Sequence, residues 1–131
     1  MPRRKKKSAN LTEAELKLMD ILWTKGEGTV QDVVNTLSKT ESVAYTTVLT
    51  ILRILETKGY LKHRKVSHAF IYYPVVGHDD ARRNAVKDIM KKFFDNSPEL
   101  LVLNILGNEQ VNVDELSRLR EMIEKNTEVN R

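Results

Sequence analysis

The chain contains no cysteine. No disulfide framework can form, and no thiolate is available to bind a metal. Long apolar runs are missing as well: none reaches the ~20 residues that a membrane-spanning helix needs. The basic N-terminal stretch has no apolar segment behind it, so it does not read as a secretory signal. The cytoplasm is the simplest expected compartment. The chemistry of an enzyme is also absent, with no glycine-rich phosphate loop, no nucleophile beside a base and no metal-ligand spacing. His63, His68 and His78 have no carboxylate or thiol constellation near them. No catalytic residue, metal or cofactor is therefore expected.

What is present describes a soluble, helix-rich chain. Its 131 residues are 40% hydrophobic and 31% charged, enough for one domain, or for a small domain with an appendage. The net charge of +4 is unevenly spread. Residues 1–75 hold 13 Lys/Arg against 7 Asp/Glu, and residues 76–131 hold 9 against 11. A basic first half and a mildly acidic second half suggest a polyanion partner for the first half alone. Arg3, Arg4, Lys5, Lys6 and Lys7 lie in a polar arm, residues 1–10, that reads as disordered. It is either a solvated tail or a contact to phosphates.

Punctuation divides the rest into elements. Thr12-Glu13-Ala14-Glu15 is a capping box, so a helix starts there and runs to about Lys25, before Gly26. Its polar stripe is narrow (Glu13, Lys17, Asp20, Thr24), which predicts a central position in the fold. Thr29 caps a short second helix bearing Val33, Val34 and Leu37. A third helix spans roughly Val43–Lys58, with Gly59 as its stop. Leu61–Lys65 and Ala69–Tyr73 read as two strands around a tight turn, Val66-Ser67-His68. The expected core includes Leu16, Trp23, Val48, Leu52, Leu55 and Phe70.

The third helix carries the functional signal, in "AYTTVLTILRILETKGYL". Val48, Ile51, Leu52 and Leu55 share one face, and Thr46, Thr50, Arg53 and Thr57 line up opposite, at ~100° per residue. Solvated helix faces usually carry Glu and Lys. This one carries short hydroxyls, one arginine and a leading tyrosine. The order helix, helix, helix, two-stranded ribbon is that of a winged helix-turn-helix. Its recognition helix meets base edges with its N-terminal half. Glutamate there would repel phosphate, whereas threonine can offer a hydroxyl or a methyl. Thr46, Thr47 and Thr50 are the candidate groove contacts, and Arg53 reaches a phosphate or a guanine edge. Tyr45 is either a packing residue or a phosphate contact, and Thr57 reads better as plain surface. Lys62, Arg64 and Lys65, with His63, sit near the ribbon tip. They would follow the phosphate backbone or simply solvate a strand.

A second helical part follows. Asp79 and Asp80 open a helix with apolar face Val86, Ile89, Met90 and Phe93. Ser97-Pro98 restarts the chain. "ELLVLNIL", residues 99–106, is apolar all round except for Asn104. Asn112-x-x-Glu115 then caps a last helix with Leu116, Leu119 and Ile123. A short appendage cannot bury Leu100, Leu101, Leu103 and Leu106 by itself. A twofold partner could, and so could folding back onto the winged part.

"LTEAELKLMDILW", "AYTTVLTILRILETKGYL" and "FIYYPVV" closely resemble the penicillinase-repressor family, and the resemblance covers residues 11–125. It implies a winged-helix homodimer that represses a promoter, with Thr46, Thr47 and Thr50 as groove contacts and residues 80–125 as the dimerisation part. In the antibiotic-resistance members a membrane sensor-protease signals, and the repressor is cleaved after an Asn in its C-terminal part. The matching bond here is Asn104–Ile105, although those members have an aromatic residue where Ile105 stands. Copper-responsive members carry C-terminal cysteine motifs that this chain lacks.

The sequence reading is thus a mainly α protein in three parts. A basic arm (1–10) leads into a winged-helix DNA-binding domain (11–77), and a helical dimerisation domain (78–131) follows. Its function is to repress transcription as a homodimer on a palindromic operator. It would control β-lactamase-type resistance genes and be inactivated by proteolysis. The rival readings are a winged helix that binds proteins and a histidine-based metal-responsive regulator.

Overall fold

The first two helices begin at residues that can close them. In this computed structural model, which describes residues 10–108 and 112–129, α1 spans Glu13–Lys25 behind Thr12. The Thr12 amide donates to Glu15 Oε1 at 2.9 Å, and the Glu15 amide donates back to Thr12 Oγ1 at 3.1 Å. Gly26, at φ 91°, ends the helix in a conformation that side chains resist. α2 (Val30–Leu37) uses the same reciprocal device with Thr29 and Asp32. The exception is α3 (Tyr45–Lys58), which follows an uncapped Ala44, starts two residues later than expected and stops at left-handed Gly59, φ 93°. Residues 1–9 of the expected basic arm lie outside the described residues.

The ribbon has three strands, not the two expected. β2 (Leu61–Val66) and β3 (Ala69–Pro74) pair antiparallel, and β1 (Gly28–Thr29) adds to the far edge of β3. β1 escapes the sequence because two residues before a helix cap show no alternation. It is held by its register, Gly28 opposite Tyr72 and Thr29 opposite Ile71. The turn without glycine forms because Ser67 takes φ 58°, a strained value for a residue with a Cβ.

The core lies between α1, α2, α3 and the inner face of the ribbon. Leu18, Met19, Leu22, Val33, Val48, Leu52, Leu55 and Leu61 are fully enclosed, with Val30, Leu37, Tyr60, Tyr72, Val76 and Ala81 completing it. Leu16, 42% exposed, and Phe70, 47% exposed, are not part of it. Leu16 lies outside the stripe set by Leu18, Met19 and Leu22, and Phe70 stands near the ribbon tip, beyond the reach of the helices. Trp23 is half-buried. Its indole N–H donates to the Val76 carbonyl at 2.9 Å, and its ring stacks on His78 at 4.6 Å. Glu15 is buried yet satisfied, meeting Lys58 at 2.7 Å, and Lys58 also donates to the Asn10 carbonyl at 3.0 Å.

α4 (His78–Phe93), α5 (Pro98–Asn108) and α6 (Val113–Val129) follow. Ser97 accepts the Leu100 amide at 3.1 Å, and Asn112 accepts that of Glu115 at 2.8 Å, as their capping positions imply. The chain divides into two compact units between Asp88 and Ile89, inside α4 rather than at its start. Among the described residues, no helix is long and apolar enough to cross a membrane.

Candidate nucleic-acid interface

The first turn of α3 differs from that of every other helix described. α1, α2, α4, α5 and α6 all carry Asp or Glu there, where the helix dipole favours negative charge. α3 carries none. Its N-cap is Ala44, which offers no side-chain acceptor, and the first backbone bond is Val48 N–H to Ala44 carbonyl at 3.2 Å. The amides of Tyr45, Thr46 and Thr47 therefore meet neither an acidic side chain nor a capping one. All three side chains are exposed. An external anion would supply what the sequence withholds.

Further along the same face, Thr50, Arg53 and Thr57 are exposed. The Thr50 hydroxyl donates to the Thr46 carbonyl at 2.9 Å. Its proton is thereby used, leaving oxygen lone pairs and the methyl to face outward. Tyr72, on β3, is buried. Burial, then the Glu56 charge, push that phenol above its ordinary range, while Arg53 pulls it back.

The wing cations do not form the single cluster that their closeness in sequence suggests. Strand alternation sets Lys62 and Arg64, opposite Tyr73 and Ile71, on one face of the ribbon. It sets His63 and Lys65, opposite Tyr72 and Phe70, on the other. Arg64 pairs with Glu27 at 2.8 Å and lies 5.8 Å from the Tyr73 ring centre. Lys65 lies 5.9 Å from that of Phe70. His63 closes on Glu56 of α3 at 2.8 Å. Lys62, Arg64 and Lys65 are all exposed.

Two residues at this surface escape a reading of the sequence. Glu27 and Glu56 hold Arg64 and His63 respectively. The alternation Leu61, His63, Lys65 could have placed His63 on the inner face, toward α3. Nothing local signals Glu27, which follows Gly26 in a connection. Among the described residues no three His, Asp or Glu side chains assemble into a possible metal site. His63 is engaged with Glu56 and His78 with Trp23.

In the second unit the apolar side chains face outward. Ile89, Phe93, Leu100, Leu103, Ile105, Leu106, Leu116, Leu119 and Ile123 are exposed, while Met90 and Leu101 are half-buried. Val86, also exposed, precedes the division. Between α5 and α6 runs an apolar groove of about 430 Å³, lined by Val102, Ile105, Leu106, Leu116, Leu119 and Ile123, with Arg120 and Glu124 beside them. Asn104 and Ile105 lie inside α5.

The penicillinase repressor profile matches residues 11–125. A penicillinase repressor of Bacillus licheniformis is 29% identical over 120 residues, covering 92% of this chain and 94% of that one. The methicillin resistance regulatory protein MecI of Staphylococcus aureus strain N315 is 25% identical over 119 residues, 91% of this chain and 97% of that one. Among solved structures, the DNA-binding domain of the repressor BlaI superposes with a TM-score of 0.52 at 32% identity, covering 59% of this chain and 93% of that domain. The helices and ribbon of the first unit form a winged helix, and the family's members are transcriptional repressors, not enzymes. The chain belongs to the penicillinase repressor family.

Proposed function

We propose that the chain represses transcription by binding operator DNA as a homodimer, with α3 in the major groove and the ribbon along the backbone. One observation carries this reading. The exposed first turn of α3 bears Tyr45, Thr46 and Thr47, lacks acid, and has no capping side chain. Thr46 and Thr47 meet base edges, Thr50 offers its methyl to a thymine, and Arg53 meets a guanine edge. Lys62, Arg64 and Lys65 contact phosphates from the two faces of the wing. The exposed apolar side chains of α5 and α6 support pairing with a second copy, because a surface of this kind is rarely left to water. A twofold dimer matches a palindrome with half-sites one or two helical turns apart.

Control of β-lactamase-type resistance genes follows from the same reading, with a membrane sensor-protease as the signalling partner and Asn104–Ile105 as the bond cut. That bond is helical, so α5 must open locally before a protease can take it. Cleavage would separate α6 from most of α5 and dismantle the groove. Mass spectrometry of the chain from cells exposed to a β-lactam should find a fragment ending at Asn104. An intact chain in induced cells would remove this step.

Footprinting of DNA upstream of the chain's own gene, with affinity measured against salt, tests the function. Operator binding should weaken linearly in log–log form, with a slope of ~−0.9 per phosphate contact. Salt-independent association, or no protected site, would favour a winged helix that binds proteins instead.

A further inference from the structure

α3 carries a single acid, Glu56, and the wing reaches across to take it. His63 Nδ1 lies 2.8 Å from both Glu56 Oε1 and Glu56 Oε2. An imidazole can donate an N–H from that nitrogen whether neutral or protonated, so the contact can join β2 to α3 in either charge state. The His63 ring is packed as well: it meets Phe70 edge-on at 5.2 Å and lies 5.4 Å from the Tyr72 ring. Beyond this level the ribbon has little else to steer it. β1 pairs with Ile71 and Tyr72 and stops there, so Lys65 opposite Phe70 and Val66 opposite Ala69 form a two-stranded tip. Val66 and Phe70 are exposed there, with no helix laid over them. A two-stranded ribbon of this kind is marginal by itself and free to swing.

Two ion pairs hold the wing, and DNA would treat them differently. Arg64, paired with Glu27, is itself a candidate phosphate contact, so DNA competes with Glu27 for it. His63 is turned inward to α3, and no phosphate competes for it. We propose that His63 and Glu56 form a latch that fixes the wing against the recognition helix, so that Lys65 at the tip meets its phosphate while α3 is seated in the groove. Both are positioning residues, and neither touches DNA. A wing free to swing loses entropy on binding that a latched wing has already lost. This rests on the reading of the chain as an operator-binding repressor. It adds an unexpected consequence: the one acid of the recognition helix aids DNA binding in spite of its charge.

The test is a double-mutant cycle in the full chain. The probes are the footprinted upstream duplex and a random duplex of equal length. Glu56→Ala keeps a good helix former in place and removes a negative charge from the DNA-facing helix, so electrostatics alone would tighten binding. The latch predicts the reverse: a loss of about fivefold, the equivalent of one hydrogen bond, shared by both duplexes because the wing follows the backbone. The salt slope should fall by ~1 as the Lys65 contact is lost. His63→Phe keeps a ring against Phe70 and Tyr72 but cannot donate, and it should cause the same loss. Added to Glu56→Ala, it should change affinity less than twofold further. Tighter or unchanged binding by Glu56→Ala, an unchanged slope, a loss confined to the upstream duplex, or two losses that simply add would overturn the proposal. A readout without DNA guards against a variant that fails to fold. Backbone amide relaxation by NMR should show greater mobility of residues 65–70 in both variants, while the amides of α1, α2 and α3 stay rigid. An unmoved tip would refute the latch. If the wild-type chain binds neither duplex, the repressor reading fails, and the relaxation of the tip still decides the latch.

Discussion

Up to Asp88 the chain encloses an apolar core; from Ile89 onward no described side chain is buried. Val33, Val48, Leu52 and Leu55 are wholly shielded in the first unit, whereas in the second Phe93 is 76% exposed and Ile123 64%. Among the described residues beyond Ala81, none is buried. The two units have similar building materials: capped helices and leucine-rich faces. They differ in closure. Three helices and a ribbon can surround a core, but α5, α6 and the end of α4 cannot do so alone. The first unit thus has what an independently folding domain requires, and the second leaves exposed the apolar surface that the proposed homodimer would cover.

The largest effect should come from separating them. A fragment ending at Asp88 keeps the complete core, including Ala81, which a cut at residue 77 would lose along with α4. It should fold and remain monomeric, and its operator affinity should fall by ~10²–10⁴, because two linked half-site contacts become independent. Gel-shift titration measures this, and full affinity in the fragment would break the comparison. A single charge in the groove should act in the same direction. Leu119→Asp should leave the melting of the winged unit intact but convert the chain to monomer in sedimentation. Retention of the dimer would move the interface elsewhere.

A core cavity sharpens the contrast from the other side. Leu52→Ala should destabilise the first unit by ~2–5 kcal/mol in denaturant unfolding, independent of protein concentration. A concentration-dependent loss would show that the winged part relies on its partner. At the surface, Thr46→Ala or Thr47→Ala should cost ~1–3 kcal/mol of specific binding and leave random DNA nearly unaffected. Equal losses on both would restrict these residues to the backbone. The smallest change concerns Glu27, which occupies Arg64. Glu27→Gln should tighten binding at low salt and steepen the salt slope by ~1. An unchanged slope would leave Arg64 out of the interface.

How much of this was legible depends on the range of the signal. Thr12 with Glu15, Thr29 and Gly59 announce their helix ends locally, and the 3.6-residue period of Val48, Leu52 and Leu55 announces the buried face of α3. The exposed hydroxyl face follows from the same geometry. β1 was not legible, because Gly28 and Thr29 become a strand only when β3 lies beside them. The division of the wing cations was readable from strand alternation, but grouping Lys62, Arg64 and Lys65 by proximity obscured it. The grip of Glu27 on Arg64 joins residues distant in sequence, and no local pattern encodes it. Leu16 and Phe70 carry core-type side chains at positions that the packing leaves outside.

The winged unit closes on itself, and we propose that the second unit closes on another copy. Sedimentation equilibrium of the full chain beside the fragment ending at Asp88 tests it most directly. Twice the chain mass is expected for the full protein, and a monomer for the fragment at the same concentration. A monomeric full chain, or a fragment that remains a dimer, would contradict it.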